Sequence, residues 1–202
     1  MHTTVFDKYL TRGEEKRLMG AIGRVDCPFA RRDYHLFRLM LATGIRVGAA
    51  CGLTVNDARQ ALATGRLTLR SEIQKRKQGH SVPVNRRAHE ALRGLLSVRR
   101  NAGQPGDPDA PLLFGRKGPG LSVRSVEARI KQWAREAGID CAEHITPHWL
   151  RHTLAKRVME QSTSANPLGI VGGVLGHRSA NSTAIYVAPD KEQIAGELAA
   201  LH

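Results

Sequence analysis

The apolar residues of the first quarter of the chain recur at helical spacing. Thr11 is followed by acidic residues and then by Leu18 and Ile22, a pattern that predicts a helix capped by Thr11. The stretch DYHLFRLMLATG carries its apolar residues on one broad face and stops at Gly44, which is suited to the left-handed position after a helix. Two helices are therefore expected before Ile45, and the residues IRVGAACGLTVNDA predict one short helix after them.

The period changes after Gly65. The residues RLTLRSEIQKRKQGHSVPV alternate between apolar and polar around a Gln78-Gly79 break, as a β-hairpin does. Helical spacing returns in RRAHEALRGLLSVRR and in LSVRSVEARIKQWAREAGI, with a short apolar segment PLLF between them. We predict an α+β fold that is mostly α-helical with a small antiparallel sheet.

The last third of the chain predicts three more helices. Thr146 caps the first of them, Pro147 takes its first position, and it runs to about Glu160. LGIVGGVLGH predicts a short helix loosened by glycine, and PDKEQIAGELAALH predicts an amphipathic helix at the end of the sequence.

Composition adds an expectation about the binding partner. The chain has 202 residues of which 41% are hydrophobic, enough for one domain with a full core. Lys and Arg total 31 against 18 Asp and Glu, and a net charge of +13 is typical of a protein that binds a polyanion. Nucleic acid is the expected partner. A membrane surface is not favoured, because the sequence shows no basic amphipathic helix with an aromatic apolar face.

The cysteines and the hydropathy exclude several other classes of protein. Cys27, Cys51 and Cys141 are odd in number and widely separated, so neither a disulfide framework nor a cysteine zinc site is indicated, and we expect buried, reduced thiols. No uncharged run is long enough to span a bilayer and no signal sequence is evident. A cytoplasmic, nucleoid-associated protein is expected.

Three histidines raise the possibility of a metal site. His144, His148 and His152 recur at four-residue intervals, and paired histidines one helical turn apart are a common zinc arrangement. His144 precedes the predicted cap, however, and the HxxxH pair encloses no glutamate that could serve as a base. We therefore expect no metal here.

An anion site is the better interpretation of the same helix. His148 and Arg151 are three residues apart and lie on one side of that helix. Such a pair can also be an ordinary surface feature of a basic helix. Arg46 follows a Thr-Gly corner and offers a second guanidinium, and two guanidinium groups can clamp the nonbridging oxygens of a phosphate. Tyr186 would become nucleophilic among such cations; otherwise its ring caps a patch of core.

Together these residues resemble the catalytic domain of the tyrosine recombinases, the phage integrase family. ATGIR supplies Arg46, HWLRHT supplies His148 and Arg151, LGH supplies His177, and AIYV supplies Tyr186 nine positions after that histidine. All stand in the family's order, and the resemblance spans nearly the whole chain.

The family also places a lysine in the β-hairpin, eight residues before a VP proline. In this chain that proline is Pro83, and counting back gives Lys75. Lys77 competes for the position if the hairpin tip differs.

The resemblance implies a role for each residue. Tyr186 would attack a DNA phosphate to give a 3′-phosphotyrosine, Arg46 and Arg151 would bind the nonbridging oxygens, and Lys75 would protonate the leaving 5′ oxygen. His148 would accept the tyrosine proton and His177 would hydrogen-bond the phosphate. No ATP, metal or other cofactor would be needed.

Two departures from the family pattern stand out. An acidic residue often follows the first arginine by three positions, where this chain has Ala49, so support for Arg46 must come from elsewhere or be absent. The stretch STSANP makes the connection between HxxR and LGH a few residues longer than is usual.

The resemblance also implies a domain organisation and partners. Residues 1–10 would be a tail, 11–187 the catalytic domain, and 188–202 a helix that docks on a neighbouring protomer or folds back on its own core. A core-binding domain does not fit before Thr11, so the chain resembles short members such as the fimbrial phase-switching invertases, or is a fragment. Double-stranded DNA, a homotetramer on it and a directionality or accessory factor are the implied partners.

Two other functions compete with recombination. A type IB topoisomerase uses a similar site but joins no second duplex, and the short spacing from LGH to the tyrosine argues against it. A DNA-binding accessory protein or regulator could keep the fold without catalysis. Candidate residues at every catalytic position argue against this non-catalytic function, and Ala49 argues for it.

Overall fold

The computed structural model describes residues 8–73, 79–116, 120–176 and 199. Its helices and strands, in chain order, are α1 (Arg12–Gly23), α2 (Pro28–Thr43), α3 (Val47–Cys51), α4 (Val55–Thr64), β1 (Arg66–Leu69), β2 (His80–Pro83), α5 (Arg86–Asn101), α6 (Val123–Glu136), α7 (Pro147–Gln161) and α8 (Pro167–Leu175). The predicted mostly helical α+β fold is confirmed. The tyrosine segment lies outside the described residues, as does the predicted final helix except for residue 199.

The predicted helix starts and stops are present as hydrogen bonds. Thr11 and Glu14 form a reciprocal capping box, in which the Glu14 amide donates to Thr11 Oγ1 at 3.2 Å and the Thr11 amide donates to Glu14 Oε2 at 2.8 Å. Helix α2 ends at Gly44, whose φ of 64° is the left-handed conformation that a helix C-terminus often requires. It begins at Pro28, earlier than its apolar pattern indicates.

The single short helix predicted after Gly44 is wrong, because two helices occupy that stretch. Thr54 and Asp57 form a second capping box, with the Thr54 amide donating to Asp57 Oδ2 at 2.9 Å. Helix α3 has already ended at Cys51, with Gly52 as its C-cap, and this box starts α4. The apolar residues run through the junction without a change of period, so the pattern alone does not reveal it.

The predicted hairpin forms a two-stranded antiparallel sheet. Leu67 pairs with Val82, and Leu69 with His80. Leu67, Leu69 and Val82 are buried, so one face of the sheet packs on the core. The hairpin tip, with Lys75 and Lys77, lies outside the described residues.

Helix α2 lies at the centre of the core. It packs against α1, α3, α5 and α7, and Leu36, Phe37 and Met40 on its predicted apolar face are almost fully buried. The predicted buried segment PLLF is confirmed, since its residues 112–114 are also buried.

A buried ionic network ties α2 to α6. Asp33 is 1% exposed and accepts from Arg32 Nη2 at 2.7 Å and from Trp133 Nε1 at 2.8 Å, and Arg129 Nε also donates to it. Arg32 in turn donates to the carbonyl of Phe114. Because a buried carboxylate is costly unless every lone pair is used, this network commits α2 and α6 to one relative position.

The cysteines are unpaired, as predicted, but they are half-buried rather than buried. Burial raises the pKa of the Cys51 thiol to about 11, against a smaller opposing effect of Arg32. Because the thiolate is the nucleophilic form, this raised pKa disfavours Cys51 as a nucleophile at neutral pH.

No helix among the described residues is long and apolar enough to cross a membrane.

Asp33→Asn should lower the free energy of unfolding by about 3 kcal/mol, because it leaves buried guanidinium and indole donors facing an amide. Asp26→Asn is the matched control: its pair with Arg31, 2.6 Å apart, has side chains 83% and 54% exposed and should be worth less than about 1 kcal/mol. Urea denaturation measures both variants. Equal losses would contradict the assignment of the Asp33 network as a structural centre.

Candidate active site

Three segments from distant parts of the sequence meet where α2 ends. The Gly44 corner follows α2, the first turns of α7 pack beside it, and the last turn of α8 closes over both. This junction brings together the three described residues that the sequence predicts for the site, Arg46, His148 and Arg151.

Arg151 holds the junction together. Its side chain is only 5% exposed, its Nη1 donates to the Gly44 carbonyl, and its Nη2 donates to the Leu175 carbonyl at 2.7 Å. A guanidinium is planar and presents its donors in a fixed fork. Two bonds to backbone carbonyls therefore set the orientation of the whole group before any ligand arrives.

Gly44 is required by the packing as well as by its backbone angle. A Cβ atom at this position would lie 2.6 Å from Leu175 Cδ2 and 3.0 Å from Leu154 Cδ2. A side chain here would push α8 away and separate the two carbonyls that Arg151 joins.

Arg46 stands two residues beyond the Gly44 carbonyl and differs from Arg151. It occupies the N-cap position of α3, with φ of −70° and ψ of 148°, and it is half-buried. Within the described ranges its guanidinium makes neither a hydrogen bond nor an ion pair with the protein. Its positive charge is therefore not matched by a protein group within those ranges.

Ala49 occupies the position, three residues after Arg46, where the family often has an acidic residue, and it gives Arg46 no charge partner. It is 2% exposed and packs in the hydrophobic core on α3. Of the carboxylates that the structure describes, none pairs with Arg46. The positive charge at this corner is thus left uncompensated by the described protein, as a binding site for an anion requires.

His148 lies at the open edge of the site. It is in the first turn of α7 after Pro147, and it is exposed although Arg151 one turn later is buried. Its ring centroid is 6.3 Å from that of His152. Thr146 occupies the predicted cap position, but its side chain makes no capping hydrogen bond.

The described residues contain no group of three His, Cys, Asp or Glu side chains that could hold a metal.

The remaining predicted residues cannot be placed. The described stretch stops at Gly176, directly before His177, and Tyr186, Lys75 and Lys77 also lie outside it. Their membership of the site stays a prediction.

His80, a neighbour of the site, was not singled out from the sequence. His80, on β2, has its Nε2 atom 3.3 Å from the carbonyl oxygen of Val174, in the last turn of α8. Its position three residues before Pro83 was the only available signal.

The junction has the chemistry of a phosphodiester site. One guanidinium is fixed by backbone carbonyls, a second is available within two residues of one of those carbonyls, and an imidazole stands at the edge. Guanidinium groups match the nonbridging oxygens of a phosphate and stabilise charge that develops on them.

Comparison with known proteins gives a consistent result. The model of the phage integrase family matches residues 8–193. The tyrosine recombinase XerC of Neisseria meningitidis is 34% identical over 169 residues, which are 83% of this chain and 50% of that protein. The chain thus spans about half the length of the curated relatives it matches.

Solved structures agree on the fold. The crystal structure of XerA recombinase superposes with a TM-score of 0.75 at 26% identity, covering 99% of this chain and 66% of the other. The XerH site-specific recombinase bound to its difH substrate, in a pre-cleavage complex, gives a TM-score of 0.70 at 22% identity, covering 93% and 52%.

Gly44→Ala should destabilise the protein by well over the roughly 1–2 kcal/mol that a left-handed backbone costs an alanine, because it adds the clash with Leu175. Gly65→Ala isolates the backbone cost, since Gly65 has φ of 69° but nothing within 4 Å of the added methyl group. Thermal and urea unfolding compare the two. Similar losses would show that the contact between Gly44 and α8 is not tight.

Arg151→Ala should lower the free energy of unfolding by about 3 kcal/mol, because two carbonyls lose a charged donor. Arg46→Ala should change it by less than about 0.5 kcal/mol, as substitutions away from buried networks do. The same urea experiment measures both. A large stability loss for Arg46→Ala would contradict its assignment as a ligand-binding residue.

Proposed function

The chain belongs to the phage integrase family, and from that premise we propose that it is a site-specific tyrosine recombinase that cleaves and rejoins double-stranded DNA. The observation that carries the proposal is the Gly44 corner, where Arg151 is oriented by two carbonyls and Arg46 stands two residues away without a protein partner among the described residues. The net charge of +13 supports a DNA substrate.

The described residues would bind and activate the scissile phosphate. Arg46 and Arg151 would each hold nonbridging oxygens, and their charges would stabilise the transition state, whose extra negative charge lies on those oxygens. His148, exposed at the edge of the site, would accept the proton of the attacking hydroxyl.

The chemistry itself would be a transesterification. The Tyr186 hydroxyl attacks phosphorus, the bond to the 5′ oxygen breaks, and a 3′-phosphotyrosine forms. Lys75 supplies the proton that the leaving 5′ oxygen takes up, and His177 donates a hydrogen bond to the phosphate. Because the new ester retains the energy of the old one, neither ATP nor a divalent metal is needed.

Rejoining reverses these steps with a different strand. The free 5′-hydroxyl of a partner duplex attacks the phosphotyrosine, and two such rounds exchange four strands through a Holliday junction. Four protomers would act together on paired sites, with residues 188–202 docking on a neighbour through Ile194, Leu198 and Leu201. An accessory factor would set the direction, and the enzyme would work on DNA at the nucleoid.

Covalent trapping tests the proposal. A library of nicked suicide duplexes, in which the cleaved strand loses its short 5′-hydroxyl fragment, should yield a protein–DNA adduct that survives denaturing gel electrophoresis and is unaffected by EDTA. Tyr186→Phe should abolish it. Tyr34→Phe, one of the two other tyrosine positions in the chain, is the matched control and should leave it unchanged.

The recovered adduct DNA then identifies the site for a joining assay. Transfer of the trapped strand to a second duplex is the result expected of a recombinase. Rejoining confined to the same duplex would indicate a topoisomerase, and DNA binding without any adduct would indicate an accessory protein; either would overturn the proposal.

A further inference from the structure

The last turn of α8 is held by side chains from two other elements. The Leu175 carbonyl accepts from Arg151 on α7, and the preceding carbonyl, that of Val174, faces His80 Nε2 on β2 at 3.3 Å. A carbonyl oxygen can only accept, so this contact is a hydrogen bond when the imidazole carries a proton on Nε2.

The His80 ring also lies against the backbone that follows α8. Gly176 has φ of 63°, and a Cβ atom there would lie 3.2 Å from both Nε2 and Cδ2 of His80. The imidazole therefore touches α8 at its last turn and at the residue that ends it.

The backbone of His80 is held by the sheet. It begins β2 and pairs with Leu69, which is 2% exposed, so the ring is anchored to the sheet and through it to the core.

Helix α8 needs such support. Its sequence PLGIVGGVL contains three glycines in nine residues, and glycine in a helix is less stable than alanine. The last carbonyls of a helix also lack intrahelical partners, so donors from outside decide where its end is held.

We propose that His80 is a positioning residue, which fixes the end of α8 and thereby sets how His177, the residue after Gly176, meets the scissile phosphate. The inference rests on the proposed function, because His177 is assigned to the phosphate there. His80 does not touch the reacting atoms on this account. It acts through the backbone of residues 174–176.

Two substitutions separate hydrogen bonding from bulk. His80→Leu keeps the volume but cannot donate, and His80→Gln keeps a donor. With saturating suicide DNA, His80→Leu should slow adduct formation about tenfold and His80→Gln by less than about threefold, since small displacements of reacting groups cost rate steeply. Equal rates for His80→Leu and wild type would overturn the proposal.

A double-mutant cycle excludes a general structural effect. If His80 acts through His177, His80→Leu should slow the residual reaction of His177→Ala by less than about twofold, because the two changes remove one contribution. A tenfold effect in both backgrounds would mean that His80 only stabilises the fold, and would overturn the proposal.

Hydrogen exchange tests the contact without relying on catalysis. Backbone amides of residues 168–176 should exchange faster in His80→Leu than in His80→Gln or in His89→Leu, a control histidine on α5. If wild-type protein forms no adduct, the proposed function fails, while this comparison still decides whether His80 holds α8. Unchanged exchange would overturn the positioning role.

Discussion

The bonds from Arg151 to the carbonyls of Gly44 and Leu175 are the constraint on which the site depends. They join three segments of the chain, namely the Gly44 corner, α7 and the end of α8. A lysine could not replace this arginine, because an ammonium on a flexible stem lacks the planar fork that reaches two acceptors in a defined plane. Gly44 makes both bonds possible, since it allows α8 to approach closely enough for them to form.

The two arginines differ in burial and in their contacts with the protein. Arg151 is buried and committed to backbone acceptors, whereas Arg46 is half-buried with no protein partner among the described residues. In the proposed function, one cation would be oriented in advance and the other would be left to the ligand, so little reorganisation would be needed when charge develops on a phosphate. Ala49 is consistent with that arrangement, because an acid there would have to be buried in the core.

Sequence patterns predicted most of the fold, and they named Arg46, His148 and Arg151, which the structure brings to one junction. Helix α1, the end of α2 at Gly44 and the hairpin each carry local signals, namely a capping box, a glycine and an alternating run. The junction of α3 and α4 was missed because its capping box lies inside an uninterrupted apolar pattern. His80 and the acceptors of Arg151 were missed for a different reason: their partners are backbone carbonyls, which every residue has, so only the folded arrangement identifies them.

The most direct test of the account is to locate the bond between protein and DNA. After nuclease and trypsin digestion of the trapped complex, peptide 179–191 carries the residual nucleotide if Tyr186 is the nucleophile, and fragmentation distinguishes Tyr186 from Ser179, Ser182 and Thr183 in the same peptide. The account predicts the added mass on Tyr186 alone. Added mass on one of the hydroxyl residues, or on a peptide elsewhere in the chain, would contradict it.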